Sequence, residues 1–447
     1  MKQFNNEAMV HAHFESLYPD DSRFDEIEKI LTFIKQGNSC QVISLPGVGR
    51  SNLLGLMSYN RNVRIKHLGE NQKWFHFVIL TLSEIKDKNT PNVLKYIFLS
   101  LADSLRDRGL QSEHDKLHAI FKEHASFNDE LVLFQGLKEA LYFLTIEKEL
   151  TVTFLFSKFE EFLPFIDSHF FTTLKALRTQ SKYRFSCVFS LNRPLEELAD
   201  PTLYGEYYEF FADKTMYLKI MDSPMLNFRI SYLEKVVNKK LDQKTKQEVI
   251  FQTGGHGKLT KNAIEILLSN NSDSKELEKL LLSQPEIQRV LLELWNSFNP
   301  SEQQYLIQPS IKINELYLQN VGIILDKKIT IPLLASFLNN KTIKQSNNEI
   351  ITYDPNKNDI LKGSLSISNL FTSSEFKLLK LFLTNKDRVI EREEIINAVW
   401  QDSKSIAGVT DQALDQLIFR LRKKIEDNPN NPTHLQTVKG RGFRFTA

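Results

Sequence analysis

Residues 410–426, TDQALDQLIFRLRKKIE, and residues 435–445, LQTVKGRGFRF, decide how the end of this chain folds. In the first stretch Leu414, Ile418, Leu421 and Ile425 recur at intervals of four, three and four, the period of a helix with one buried face. The opposite side carries Gln412, Gln416, Phe419, Arg420 and Lys423, and Arg420-Leu421-Arg422-Lys423-Lys424 puts four cations within one and a half turns. The second stretch reads as two short strands about Lys439-Gly440-Arg441-Gly442, a hairpin whose glycines admit positive φ and close backbone approach. From Arg420 onward seven cations (Arg420, Arg422, Lys423, Lys424, Lys439, Arg441, Arg444) stand against Glu426 and Asp427. A cationic helix beside a cationic hairpin suits a nucleic-acid duplex: the helix fits the major groove and the hairpin reaches phosphates or the adjacent minor groove. The same charge also suits a solvated basic face on a protein-binding module.

Working back from there, Glu349–Ser368 holds short alternating runs around the turn residues Asp354–Asn358, which predicts a small antiparallel sheet. Thr372 or Ser373 can cap a helix that carries Phe376, Leu379 and Leu383 on one face, and a second helix starts near Arg392. Phe371-Thr372-x-x-Glu375, Leu378-Leu379, Arg392-Glu393, Val399-Trp400, Asp415-x-x-Ile418-x-Arg420-Leu421-Arg422-x-Lys424 and Thr437-Val438-x-Gly440-x-Gly442-Phe443-x-Phe445 together resemble the OmpR/PhoB-type winged helix, over residues 349–447. The resemblance implies an N-terminal sheet, three helices and a wing, with the third helix as the DNA reader. It implies a DNA interface of Gln412, Gln416, Phe419, Arg420, Arg422, Lys423, Lys439 and Arg441. Lys439 stands where the family's usual wing arginine lies and Leu417 where a recognition-helix histidine is common, which leaves the target sequence open.

Between Asp21 and Tyr217 apolar strands alternate with amphipathic helices, the pattern of a parallel α/β sheet. Strands are expected at Gln41–Leu45, Trp74–Thr81, Thr151–Phe156, Phe185–Ser190 and Met216–Leu218, with helices such as Asn92–Arg108 and Asp129–Leu144 between them. Ile43-Ser44-Leu45-Pro46-Gly47-Val48-Gly49-Arg50-Ser51 follows the first strand and opens a helix, the context in which backbone N–H groups cradle phosphate. Against G-x-x-x-x-G-K-[ST], Ser44 replaces the first glycine and Arg50 the lysine. The strand at Thr153–Phe156 leads to Ser157 where a Mg²⁺-side aspartate is expected, with Glu160 nearby; a later strand ends at Asn192, and Thr253-Gly254-Gly255-His256 opens another helix.

In that order these features resemble AAA-type and STAND-type P-loop ATPases, in degenerate form. The resemblance implies a nucleotide site of Gly47, Gly49, Arg50, Ser51, Glu160 and Asn192, with ATP or ADP and Mg²⁺ as the cofactor. Within it, Ser51 would touch the metal and Asn192 the γ-phosphate. With the lysine and aspartate replaced, efficient hydrolysis is not expected. Glu286–Asn340 resembles the accessory winged helix that follows such cores, and its sparse cations point to packing.

The expected architecture is therefore multidomain, α/β plus α+β: a tail (1–20), a P-loop-type parallel-sheet domain (21–217), a helical lid (218–285), an accessory winged helix (286–340), a polar linker (341–348) and the C-terminal winged helix (349–447). A length of 447 residues, 41% hydrophobic and 25% charged, supplies several cores, and a net charge of +2 means that DNA affinity must be local. Cys40 and Cys187 lie in apolar runs and read as buried thiols of a reducing compartment. The first residues lack the apolar core of a secretory signal, and no run approaches the ~18 apolar residues of a membrane span. His11-Ala12-His13 has no partner ligands at metal spacing, Trp74, Trp295 and Trp400 read as core, and the 32 phenylalanines read as compositional bias. No nucleophile–base constellation and no aspartyl-phosphate receiver stands out. The functional expectation is a cytoplasmic, bacterial, sequence-specific transcription regulator that binds double-stranded DNA, with RNA polymerase, a signalling protein or a second copy as further partners. An ATP-driven DNA-associated motor and a protein-binding adaptor are the rival readings.

Overall fold

The computed structural model describes residues 13–125, 129–269, 276–309, 314–339, 351–355, 357–362, 365–400, 411–426, 429 and 432–446. The linker at 341–348, most of the tail, His11, Ala12 and Thr410 lie outside these. The chain divides into two compact units, Met1–Phe337 and Leu338–Ala447.

In the first unit β1 (Cys40–Ile43), β2 (Phe75–Leu80), β3 (Thr151–Phe156), β4 (Phe185–Leu191) and β5 (Thr215–Tyr217) form one parallel sheet in the order β2-β3-β4-β1-β5. β1 and β4 are buried along their whole length, as continuous apolar strands inside a covered parallel sheet must be. The chain leaves β1 and crosses over β4 and β3 to the outer strand β2, so the loop after β1 sits at a switch in strand order, where open α/β sheets form crevices. Through the sheet segment run α1 (Phe24–Lys35), α2 (Arg50–Tyr59), α3 (Arg61–Leu68), α4 (Thr90–Asp107), α5 (Gln111–Ala125), α6 (Glu130–Tyr142), α7 (Ser168–Ser181), α8 (Leu195–Leu198) and α9 (Pro201–Tyr204).

After the sheet come α10 (Ser223–Val237), α11 (Gln243–Gln252), α12 (Gly257–Ser269) and α13 (Leu277–Ser283). Next are α14 (Pro285–Asn296), α15 (Pro300–Ile307), α16 (Leu316–Asn320), the hairpin β6 (Ile324–Leu325) and β7 (Lys328–Ile329), and α17, residues 332–339. α15 starts where the sequence dictates: Asn299 accepts from the Glu302 N–H, Glu302 reaches back to the Asn299 N–H, and Pro300 occupies the first turn.

Two readings change in this unit. Trp74 ends a 3₁₀ turn, Gly69–Trp74, ahead of β2, and is 41% exposed with the Lys73 ammonium 5.2 Å from its ring; it is not a core residue, whereas Trp295 is buried. Many of the phenylalanines are core as well. Phe156 stacks on Phe189 with ring centroids 5.3 Å apart, and Phe159, Phe171 and Phe211 pack around Phe189. Cys40 and Cys187 are buried, and burial pushes both thiols up to about 12, so neither is a thiolate near neutrality.

The second unit opens with an antiparallel sheet of β8 (Ile351–Asp354), β9 (Asp359–Lys362) and β10 (Leu365–Ser366), in the order β10-β9-β8. There follow α18 (Ser373–Thr384), β11 (Val389–Ile390), α19 (Arg392–Val399), α20 (Asp411–Ile425), β12 (Leu435–Val438) and β13 (Gly442–Phe445), the last three strands ordered β11-β13-β12. This is a winged helix. Thr372 and Glu375 form a capping box at α18. Leu414, Leu417, Ile418, Leu421 and Ile425 of α20 are buried against Leu378, Leu379, Phe382 and Phe443, with Trp400 partly buried at the margin. Among the described residues no helix is long and apolar enough to cross a membrane.

Leu421 is fully buried, so Leu421→Ala should cost about 2–5 kcal/mol through lost transfer energy and a residual cavity. Amide hydrogen exchange of the full chain checks this. Protection should fall in α18, α20, β12 and β13 and stay unchanged in β1–β5, because the two units have separate cores.

Candidate nucleic-acid interface and nucleotide loop

The outer face of α20 presents Gln412, Gln416, Phe419, Arg420 and Lys423, all exposed, with the Lys423 ammonium 4.9 Å from the Phe419 ring. The turn between β12 and β13 presents Lys439 and Arg441, also exposed. Gly440 and Gly442 shape that turn with φ of +70° and +129°; a Cβ on Gly442 would lie 2.1 Å from the Ile390 carbonyl oxygen, so the strand pairing itself excludes a side chain there. Arg392 of α19 donates to Asp411 at 3.1 Å and Asp415 at 2.6 Å, fixing the first turn of α20.

The seven cations divide into two groups. Arg422 turns back: its Nε and Nη2 donate to the Leu435 carbonyl at 2.9 and 2.8 Å, and Nη2 donates to Thr437 Oγ1 at 2.8 Å. These donors tie the helix to the wing. Lys424 donates to the Leu370 carbonyl and to the buried Glu375 carboxylate, and Arg444 donates to Gln436. Burial alone would raise the Glu375 carboxyl, but Lys424 and the Thr372 N–H hold it below the usual carboxylate range. Arg420, Lys423, Lys439 and Arg441 make no hydrogen bond or ion pair among the described residues, so they remain the charges open to an anionic partner.

In the first unit the loop after β1 carries Gly47 at φ +77° and Gly49 at φ +111°, and α2 begins at Arg50. Three residues from two separate segments hold the loop carbonyls. His256 Nε2 meets the Pro46 oxygen at 2.8 Å, the Lys258 N–H donates to Gly47 at 3.0 Å, and Arg23 Nη2 donates to Val48 at 2.9 Å. Burial pushes the His256 imidazole down to about 4, so it is neutral; Nε2–H donates to Pro46 while Nδ1 accepts from the Leu259 N–H. A Cβ on Gly47 would meet His256 Cε1 at 2.8 Å, which explains the glycine. With the carbonyls turned away, the N–H groups of Val48, Gly49, Arg50 and Ser51 donate to no protein acceptor among the described residues. A cavity of about 190 Å³ adjoins the loop between Tyr18, Met225, Arg229 and Lys261.

Arg50 and Glu160, read separately from the sequence, are partners: Nη2 lies 2.7 Å from Oε1, and each side chain is only 14% exposed. Arg50 Nη1, Glu160 Oε2 and Asn192 Oδ1 are buried without a partner, while Ser51 is exposed at the helix start. The neighbouring Arg193 was not singled out as a site residue. It grips both oxygens of buried Glu302, reaches the Ser297 carbonyl at 3.2 Å, and lies 3.8 Å over the Tyr317 ring, whose hydroxyl donates to the Asn192 carbonyl at 2.8 Å. Arg193 and Glu302 are 109 residues apart, a separation that no local pattern spans.

Residues 369–445 match the family model described as transcriptional regulatory protein, C terminal. The phosphate regulon transcriptional regulatory protein PhoB of Klebsiella pneumoniae is 35% identical over 97 residues, which cover 22% of this chain and 40% of that relative. The sensory transduction protein RegX3 of Mycolicibacterium smegmatis is 42% identical over 71 residues, 16% of this chain and 30% of that relative. The chain thus spans well under half the length of these relatives. Among solved structures, the RstA DNA-binding domain of Klebsiella pneumoniae in complex with its RstA box aligns at 25% identity over 22% of this chain and 90% of that one, TM-score 0.18. A Walker-type ATPase of Pyrococcus abyssi aligns at 16% identity over 73% of this chain and 97% of that one, TM-score 0.44.

His256 and His76, both buried, are held at about 4 and about 3, below the ordinary 6.5. The unfolded chain therefore binds more protons than the folded one below pH 6.5, so the contribution of both groups is complete above 6.5 and is lost as pH falls through about 4. Thermal melts of the first unit should be flat from pH 8 to 7 and decline from 6.5 to 4. The His256→Asn variant should melt lower at pH 7.5 and with a shallower acid slope; an unchanged slope would mean that His256 does not titrate on unfolding.

Proposed function

We propose that this chain, whose residues 369–445 carry a transcription-regulator DNA-binding domain, is a sequence-specific regulator that grips duplex DNA through α20 and the β12–β13 turn. The observation that carries this reading is the set of four unpaired cations on the two elements that a winged helix offers to DNA. Gln412 and Gln416 face the base edges, where a primary amide pairs with adenine, and Phe419 contacts the groove. Arg420 and Lys423 on the helix, with Lys439 and Arg441 on the turn, neutralise phosphates. Arg422 sets the angle between helix and turn and does not contact DNA. RNA polymerase, a signalling protein or a second copy of the chain would receive or supply the regulatory contact.

Gel shifts or anisotropy on a selected site test this. Lys423→Ala, Lys439→Ala and Arg441→Ala should each weaken binding across sequences and reduce the slope of log K against log salt by about one. Gln412→Ala or Gln416→Ala should change base preference, at about 1–3 kcal/mol of discrimination. Arg422→Ala should leave the salt slope intact and loosen the hairpin. Absence of binding at low salt, or base preferences indifferent to both glutamines, would reject the reading.

We also propose that the loop after β1 holds a nucleotide without turning it over. Phosphate fits the free N–H groups of Val48–Ser51, beside Gly47 and Gly49. Mg²⁺ does not fit as well: Ser157 supplies no carboxylate, and Glu160 is engaged by Arg50. Phosphoryl transfer needs a cation on the β/γ-phosphates and a held metal to stabilise the transition state, and the Arg50–Glu160 pair withdraws one candidate for each role. Steady ATP turnover should match background, and nucleotide affinity by calorimetry should be the same in EDTA and in Mg²⁺. Turnover abolished by Ser51→Ala would instead favour a DNA-associated motor.

A further inference from the structure

A cavity of about 710 Å³ beside the sheet is bordered by the outer strand β2, three strands away from the loop after β1. Its volume is that of a small-molecule site. Two arginines line it, and neither forms an ion pair with a carboxylate among the described residues. Arg64, 9% exposed, donates through Nη1 to the carbonyls of Met57 and Ser58 at 3.2 and 2.5 Å, the last turn of α2. Arg108, at the end of α4, donates to the carbonyls of Phe75, Gln72 and Lys73. Backbone carbonyls orient these groups but do not neutralise them, and burial first, then mutual repulsion, lowers the Arg64 guanidinium to about 10.

The other lining groups do not supply the missing charge. His76 is buried and held at about 3, hence neutral. Ser104 Oγ donates to the Leu101 carbonyl, so it accepts from His76 Nε2–H, and the His76 Nδ1 faces Arg108. Asp103 and Asp107 are exposed at the rim, where Asp103 pairs with Arg106. On Arg64 the bonds to Met57 and Ser58 use Nη1 alone. Nε is buried without a partner, and Nη2 has none among the described residues. Nη2 is therefore the donor that Arg64 keeps for a phosphate or carboxylate oxygen, through a charge-assisted bond.

We propose that this cavity binds a small organic oxyanion, its phosphate or carboxylate taken by Nη2 of Arg64 and its hydroxyl or amino groups facing Asp107 at the rim. The anion supplies the counter-charge that the buried Arg64 and the half-buried Arg108 lack. The hydrogen-bond acceptors at the rim favour a ligand that also carries donors over a bare ion. The site is independent of both anion-binding surfaces proposed above, and it offers the regulator a place for a small-molecule signal.

Calorimetric titration of the full chain at constant ionic strength with inorganic phosphate, ribose 5-phosphate and glutamate tests this. Phosphate reads the oxyanion alone, and the other two separate phosphate from carboxylate recognition. At least one should bind saturably, with ribose 5-phosphate or glutamate tighter than phosphate. Arg64→Gln should weaken it about tenfold or more, the scale of a lost charged hydrogen bond. Because Arg64 also holds the end of α2, a second variant is needed. Ser100 lines the cavity and its side chain makes no hydrogen bond among the described residues, so Ser100→Phe fills the space with every Arg64 contact intact, and it should abolish binding. Saturable binding that survives both variants, or that is lost in Gly49→Val in their place, would overturn the proposal, the latter by moving the anion to the nucleotide loop. No binding of any of the three would also overturn it, and would leave the DNA reading untouched.

Discussion

A carboxylate buried at the first turn of a helix has to be met by donors on every side, and both units are assembled around such a group. Glu302 closes the capping box of α15 and receives both guanidinium nitrogens of Arg193 from the end of β4. Glu375 closes the capping box of α18 and receives Lys424 from the last turn of α20. A local signal, Ser/Thr/Asn with Glu three residues on, is thus extended into a long-range joint, because the carboxylate keeps its negative charge after the helix N-terminus is satisfied. Removing one member of the buried Arg193–Glu302 pair should cost about 3–5 kcal/mol, since the other is left charged and dry. Glu426 repeats the arrangement without a cation: it accepts from the N–H groups of Thr433, His434 and Leu435 and so fixes where β12 begins.

What the sequence reveals and what it hides follow from the range of each interaction. The stripe Leu414, Ile418, Leu421 and Ile425, the capping residues Thr372 and Asn299, and the five parallel strands are set by neighbours within a few positions, and they lie within a residue or two of where pattern places them. Charge does not behave this way. Four cations in Arg420–Lys424 read alike, yet Arg422 and Lys424 turn inward because the Leu435 carbonyl and Glu375 wait there, while Arg420 and Lys423 remain outside. The partner of Arg50 lies 110 residues away at Glu160, and that of Arg193 is 109 residues away at Glu302. No spacing rule connects positions so far apart; only the parallel sheet, which brings the ends of β1, β3 and β4 to one edge, does so.

The same edge explains how the loop after β1 keeps its shape. The glycines at 47 and 49, the neutral imidazole of His256 and the guanidinium of Arg23 serve the backbone conformation, and none of them is a phosphate-transfer group. The conformation of the loop is thus held by side chains outside it. Arg50 and Glu160 satisfy one another in part, which keeps two charges at the site from standing alone.

The pinning of Pro46, Gly47 and Val48 has a mechanical meaning. Three consecutive carbonyls are tied to two separate parts of the chain: the start of α1 through Arg23, and the start of α12 through His256 and Lys258. A tether of this kind is stiff in every direction, since a shift that lengthens one bond shortens or bends another. Displacement of the loop therefore strains its bonds to α1 and to the start of α12 together, so that two segments more than two hundred residues apart in sequence share one mechanical joint.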